Sequence, residues 1–226
     1  MELNFKNITI TIPDTLNDVT FGKWLDYSKE LEGFEKLDPA SFDAQLRLYR
    51  MAEIMADLPE GGLDDLMIDE TTILIKEMTE VVNKSGKFIP NDIFTIDGIT
   101  YKARKIKDLN DLTSGEYISL KTIQTQYEKD PHLFFPLMVA ILVRPATEVE
   151  DAETGQKSWK IEPFQSRDIE NLHWRAELFR DKARAKDLMP VITFFLNGKQ
   201  ASTNNIETSS GQEQKLMKEE TPSQQP

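Results

Sequence analysis

The spacing of apolar residues switches repeatedly between a period of two and a helical period, and those switches divide the chain. Residues 2–12 alternate, with Leu3 and Phe5 on one parity and Ile8, Ile10 and Ile12 on the other. In β-branched residues this predicts a strand, with a bulge or tight turn at Lys6–Asn7 where the parity changes. A helix is expected from near Thr20, carrying Phe21, Trp24, Leu25, Ser28 and Leu31, until Gly33 and Leu37–Pro39 break it. Ser41 is placed to cap a second helix, whose stripe of Phe42, Gln45, Leu46, Tyr49, Ile54 and Met55 runs to Leu58–Pro59. Met51 and Met55 read as core filler rather than a cofactor box. Asp69 caps a third helix with Ile73, Leu74, Met78, Val81 and Val82 inward, and Gly86 is suited to the left-handed turn that ends it.

Beyond Pro90 the period returns to two. Phe94 and Ile96, then Asp97–Gly98, then Ile99, Tyr101 and Ala103 predict a hairpin, because Asp-Gly supplies the positive φ angles of a type I′ turn. Lys102, Arg104, Lys105 and Lys107 at its exit read as a solvated basic patch. The clearest local signal comes next, in Asp111–Tyr117. Thr113 and Glu116 form a capping box, and Leu112 with Tyr117 form a hydrophobic staple across the start of the same helix. That helix uses Tyr117, Ile118, Leu120 and Ile123 and ends near Tyr127. Asp130–Pro131 opens another, apolar on nearly every side through Phe134, Leu137, Met138, Ile141 and Leu142, with Pro145 as its stop. Residues 146–163 read as an acidic connection with a loose hairpin about Gly155. Ser166 caps a helix with Ile169, Leu172, Ala176 and Phe179 inward, and a short last helix from Asp187 closes at Asn197–Gly198.

Composition narrows the picture. The 226 residues carry 27 bases against 39 acids, a net charge of −12, which opposes attraction to a phosphate backbone, so no nucleic-acid partner is expected. With no cysteine, disulfides, thiolate nucleophiles and cysteine-based zinc sites are excluded. Met1–Phe5 lacks a signal-peptide pattern. The longest apolar run, Leu133–Val143, is interrupted by Pro136 and is too short for a bilayer span, so no membrane partner is expected, and the cytoplasm, or a particle assembled there, is the expected location.

Candidate chemistry is thin. His132 and His173 have no histidine or carboxylate partner at a ligand spacing and read as structural. Asp151, Glu153 and Glu162 occupy first, third and twelfth positions of a calcium-loop window, but the glycine falls fifth instead of sixth, so a solvated turn is preferred. Asp57, Glu60, Asp64, Asp65, Asp69 and Glu70 form an acidic run explained by a charged face and a helix start. Gly61–Gly62 and Ser85–Lys87 lack phosphate-loop spacing. Tyr101 among Lys102, Arg104 and Lys105 hints at a nucleic-acid reader, against which a cation-protected strand edge is the better reading. No catalytic residue, metal ligand or cofactor is assigned, and a non-enzymatic role follows. A metal-dependent enzyme using Glu148, Glu150, Asp151 and Glu153 is the remaining alternative of a different class.

From the hairpin onward the order of features resembles a known group. A Tyr101-bearing strand, the Asp111–Tyr117 junction, Ala140–Pro145, Arg175–Phe179 and a closing Phe194–Phe195 resemble the tail-assembly-chaperone-like morphogenesis proteins of tailed bacteriophages, over about residues 90–197. The resemblance implies a binding role toward a tail or tape-measure protein, with other phage structural or tail proteins as partners. It transfers no catalytic residue. The alternative within this reading is a minor head, neck or tail component that stays in the virion. Self-association is left open.

The fold expected is α+β and mostly helical. A small antiparallel sheet, made of the N-terminal strand and the central hairpin, packs against a helical bundle. Residues 1–88 hold the strand and three helices, and 89–198 hold the hairpin and helical unit packed with them. Residues 199–226 are expected to be a disordered polar tail.

Overall fold

The alternation over residues 2–12 resolves into two strands instead of one. In the computed structural model, β1 (Glu2–Asn4) and β2 (Thr9–Thr11) pair antiparallel with Leu3 opposite Ile10, and the Phe5 N–H bonds to the Ile8 carbonyl at 2.9 Å. The structure describes residues 1–6, 8–84, 91–106, 109–127, 129–165 and 169–193. Gly86, Lys107, Ser166, Phe194–Phe195, the Asn197–Gly198 stop and the tail from Lys199 therefore lie outside the described residues. Met1–Pro190 forms one compact unit.

Three helices follow β2: α1 (Phe21–Phe34), α2 (Phe42–Ala56) and α3 (Ile68–Lys84). The first two start where the sequence says, because Thr20 and Ser41 each accept a backbone N–H of the first turn, from Lys23 and Ala44. The third begins a residue before Asp69, with the Glu70 carboxylate accepting the Met67 N–H at 3.0 Å. Ile10 and Ile12 pack with Val19, Tyr27, Met51, Met55, Leu63, Leu74, Met78 and Val81. The buried side of α2 runs through Ala44, Met51, Ala52, Met55 and Ala56, so small alanines mark its contact face. Phe42, Leu46 and Ile73, expected inward, are exposed (79%, 58% and 49%). An apolar stripe broader than the helix contact leaves its margin in water.

The central sheet has the order β3-β4-β5-β6, antiparallel throughout. Its strands are β3 (Ile93–Ile96), β4 (Ile99–Ala103), β5 (Val143–Glu150) and β6 (Lys157–Ile161). The N-terminal pair is separate from it, so the hairpin gains its extra strands from residues 143–161 rather than from the N-terminus. The reason is burial: Ile10 and Ile12 are already committed to the helices. Asp97 (φ 50°) and Gly98 (φ 80°) turn β3 into β4 as the Asp-Gly pair demands. A Cβ on Gly98 meets no atom within 4 Å, so Gly98→Ala tests backbone strain alone. It is expected to cost about 1–2 kcal/mol, read as a lower urea midpoint with an unchanged slope.

Helices α4 (Ser114–Tyr127) and α5 (Pro131–Leu142) lie between β4 and β5 in sequence, and α6 (Ile169–Lys182) follows β6. Asp130 caps α5 through the N–H groups of His132 and Leu133, with Pro131 at the first position. From Leu137 to Leu142 every residue is buried. Pro145 does not stop this helix. It ends at Leu142 and passes straight into β5, where Pro145 faces Tyr101. Its carbonyl accepts the Glu162 N–H at 2.9 Å just past the end of β6, so its missing donor costs only a terminal ladder bond. α5 packs on α4 and α6, and α6 also packs on α1. There the Phe21 N–H bonds to the Ala183 carbonyl at 2.8 Å and the Ala185 N–H to the Val19 carbonyl at 2.9 Å. Gly22 makes this approach possible, since a Cβ would sit 2.8 Å from the Arg180 carbonyl oxygen. A further helix begins at residue 185 and is described as far as 193.

Candidate functional site

Helix α4 has two faces of opposite character, and its capping box determines which way each one turns. The Thr113 N–H donates to Glu116 Oε2 at 2.7 Å, and the Glu116 N–H donates to Thr113 Oγ1 at 3.3 Å, the reciprocal bonds expected. Glu116 does more than cap. Fully buried, it receives Arg144 Nη2 on Oε1 at 2.8 Å and Arg104 Nη1 on Oε2. Arg104, at the exit of β4, also donates to the Asp111 carbonyl. The patch read as solvated is thus partly a structural clasp: Arg104 holds α4, and Lys102 lies 3.8 Å from Asp92 on a mostly covered side chain. Burial by itself pushes the Glu116 carboxyl up. The Thr113 N–H, Arg104, the Thr113 hydroxyl and Arg144 outweigh it and bring the group below the usual glutamate range.

Leu120 and Ile123 continue this inward face, one and two turns on from Glu116. The opposite side presents Tyr117 and Ile118, 43% and 62% exposed, in a shallow depression with Lys121, Thr122, Thr125 and Gln126. Ile118, expected inward, is therefore a surface residue. Thr122 and Thr125 turn their hydroxyls back to the carbonyls of Ile118 and Lys121, at 2.9 and 3.0 Å, which satisfies the polar atom within the helix. Lys121 Nζ stands 5.9 Å from the Tyr117 ring centre. The result is an apolar surface without a carboxylate, on a chain of net charge −12.

The other sequence candidates are placed apart from it. Tyr101 is wholly buried, stacked on Phe94 at 5.9 Å and edge-on to Phe179 at 5.0 Å, so it is a core residue and not a base reader. His132 Nδ1 comes to 3.8 Å from Asp26 Oδ1 on α1, a carboxylate neighbour that chain spacing could not show. Burial, then Lys29, push this imidazole below its usual value, outweighing Asp26 and Asp130. His173 is exposed. Asp151 turns its carboxylate onto its own loop, accepting the N–H groups of Thr154 (2.8 Å) and Glu153 (2.9 Å), which hold it below the usual range. Among the described residues, no three histidine or acidic side chains gather in a metal-binding group, and no helix is long and apolar enough to cross a membrane.

The chain matches no family model, no curated protein and no solved structure at a significant level.

Proposed function

We propose that this is a non-enzymatic phage assembly protein of the tail-assembly-chaperone kind, and that the outer face of α4 holds a helical segment of a tail or tape-measure protein. The observation that carries the reading is that face: Tyr117 and Ile118 exposed beside threonines whose hydroxyls are already satisfied. An amphipathic client helix buries apolar side chains in such a surface, and a client acid has Lys121 to meet it. The order of motifs from Tyr101 to Phe195 supports the same class. The strongly acidic balance keeps loaded complexes apart by like-charge repulsion.

The test is co-expression with the neighbouring virion genes followed by affinity capture. The wild-type chain is expected to retain a tail protein, and Ile118→Asp is expected to lose it at least tenfold while helical circular dichroism stays unchanged. Capture of no tail protein by the wild-type chain overturns the proposal. Mass spectrometry of finished particles separates a chaperone, absent from them, from a minor virion component, present in them.

A further inference from the structure

We propose that two copies of this chain join through the outer edge of β6, extending the central sheet across a two-fold axis. The β5–β6 hairpin leaves the body as an arm: from Thr147 to Ser158 every residue is exposed. Two strands with both faces in water are marginally stable, and a third strand against them is stabilising. No described strand pairs with the outer side of β6, which is the edge of the sheet.

The ladder fixes which backbone groups face outward. Asp151 bonds to the Gln156 carbonyl and Glu162 to the Pro145 carbonyl, both at 2.9 Å, so the hydrogen-bonded positions of β6 toward β5 are the even ones. Lys157, Trp159 and Ile161 consequently turn their N–H and C=O groups away from β5. Two antiparallel copies of Lys157–Ile161 centred on Trp159 match this parity. Trp159 then lies opposite its own copy, Lys157 opposite Ile161 and Ser158 opposite Lys160, so no lysine faces a lysine. The strand carries no acid, and Lys157 is already neutralised by Glu148 at 3.1 Å. In a chain of net charge −12, this edge brings two copies together without opposing carboxylates. Trp159, only partly covered in one copy, gains the ring of the other.

Light scattering on the full-length chain is expected to show a mass rising with concentration toward twice 26.0 kDa. Trp159→Pro removes an outward N–H and no bond to β5, so it is expected to give a folded monomer. Lys157→Pro, at the first residue of the strand, is the second variant should the first lose its helical signal. Because the chain has no cysteine, Ser158→Cys with Lys160→Cys tests the register. The double variant is expected to form a disulfide-linked dimer on oxidation, and each single variant is not. A wild-type chain that stays monomeric at its highest soluble concentration overturns the proposal, and so does a dimer that survives both prolines. None of these measurements involves a client, so failure here is distinct from failure of the chaperone reading.

Discussion

Glu116→Ala is expected to lower the unfolding free energy by about 3–5 kcal/mol, the cost of leaving buried charge without its partner. Removing the carboxylate strands Arg144, itself 5% exposed, and takes the counter-charge from Arg104. It also removes one half of the α4 capping box. Against a typical total of about 5–15 kcal/mol, a loss of this size leaves the chain close to unfolding at room temperature. Urea unfolding followed by circular dichroism measures it. A loss under about 1 kcal/mol would mean that the two guanidinium groups find water or other acceptors, at the scale of an exposed pair.

The same carboxylate gives a pH signature of definite sign. Its folded-state pKa is depressed, so its contribution is complete above the pKa of the unfolded chain, about 4.3. The contribution is lost as pH falls through the lower, folded value. Stability of the wild-type chain is therefore expected to drop on acidification below the ordinary glutamate range. Glu116→Gln is expected to start lower and to fall less steeply over that interval. Equal slopes for the two proteins would assign the acid response to other groups.

Phe179→Ala is the second large effect. Phe179 is wholly buried and meets Tyr101 and Phe94 edge-on, at 5.0 and 5.9 Å between ring centres. This three-ring contact ties α6 to the β3–β4 hairpin. Truncation leaves a cavity between them, and the expected cost is about 3–5 kcal/mol. Phe179→Leu, which refills most of the space, is expected to cost markedly less. Amide exchange locates the effect: protection is expected to fall in residues 93–103 and 169–182 more than in α2. Uniform loss would place the rings in the global core instead of at a joint.

What the sequence made legible is what neighbours along the chain decide. Thr20 and Ser41 cap helices because the N–H groups they accept lie three residues away. Asp97–Gly98 turns a hairpin because the conformation resides in those two residues. The Thr113–Glu116 box is likewise local, and of the candidate site this much was readable. That Glu116 also clasps Arg104 and Arg144 was not, since Arg144 arrives from a strand on the far side of α5. Pro145 looked like a helix stop because the chain does stop being helical nearby. Its place in a strand depends on Tyr101, paired with it across two intervening helices. Ile118 looked inward because helical spacing counts apolar residues without knowing how wide the opposing surface is. Its exposure, the basis of the client-binding proposal, emerges only when α5 occupies the other face.

The backbone bonds of Val19 and Phe21 to Ala185 and Ala183 set an order of events on the ribosome. A nascent chain has made α1 long before those carbonyl and amide partners emerge. Until then, part of what α1 will bury stays uncovered, so premature termination within α6 should yield a sticky fragment that invites proteolysis.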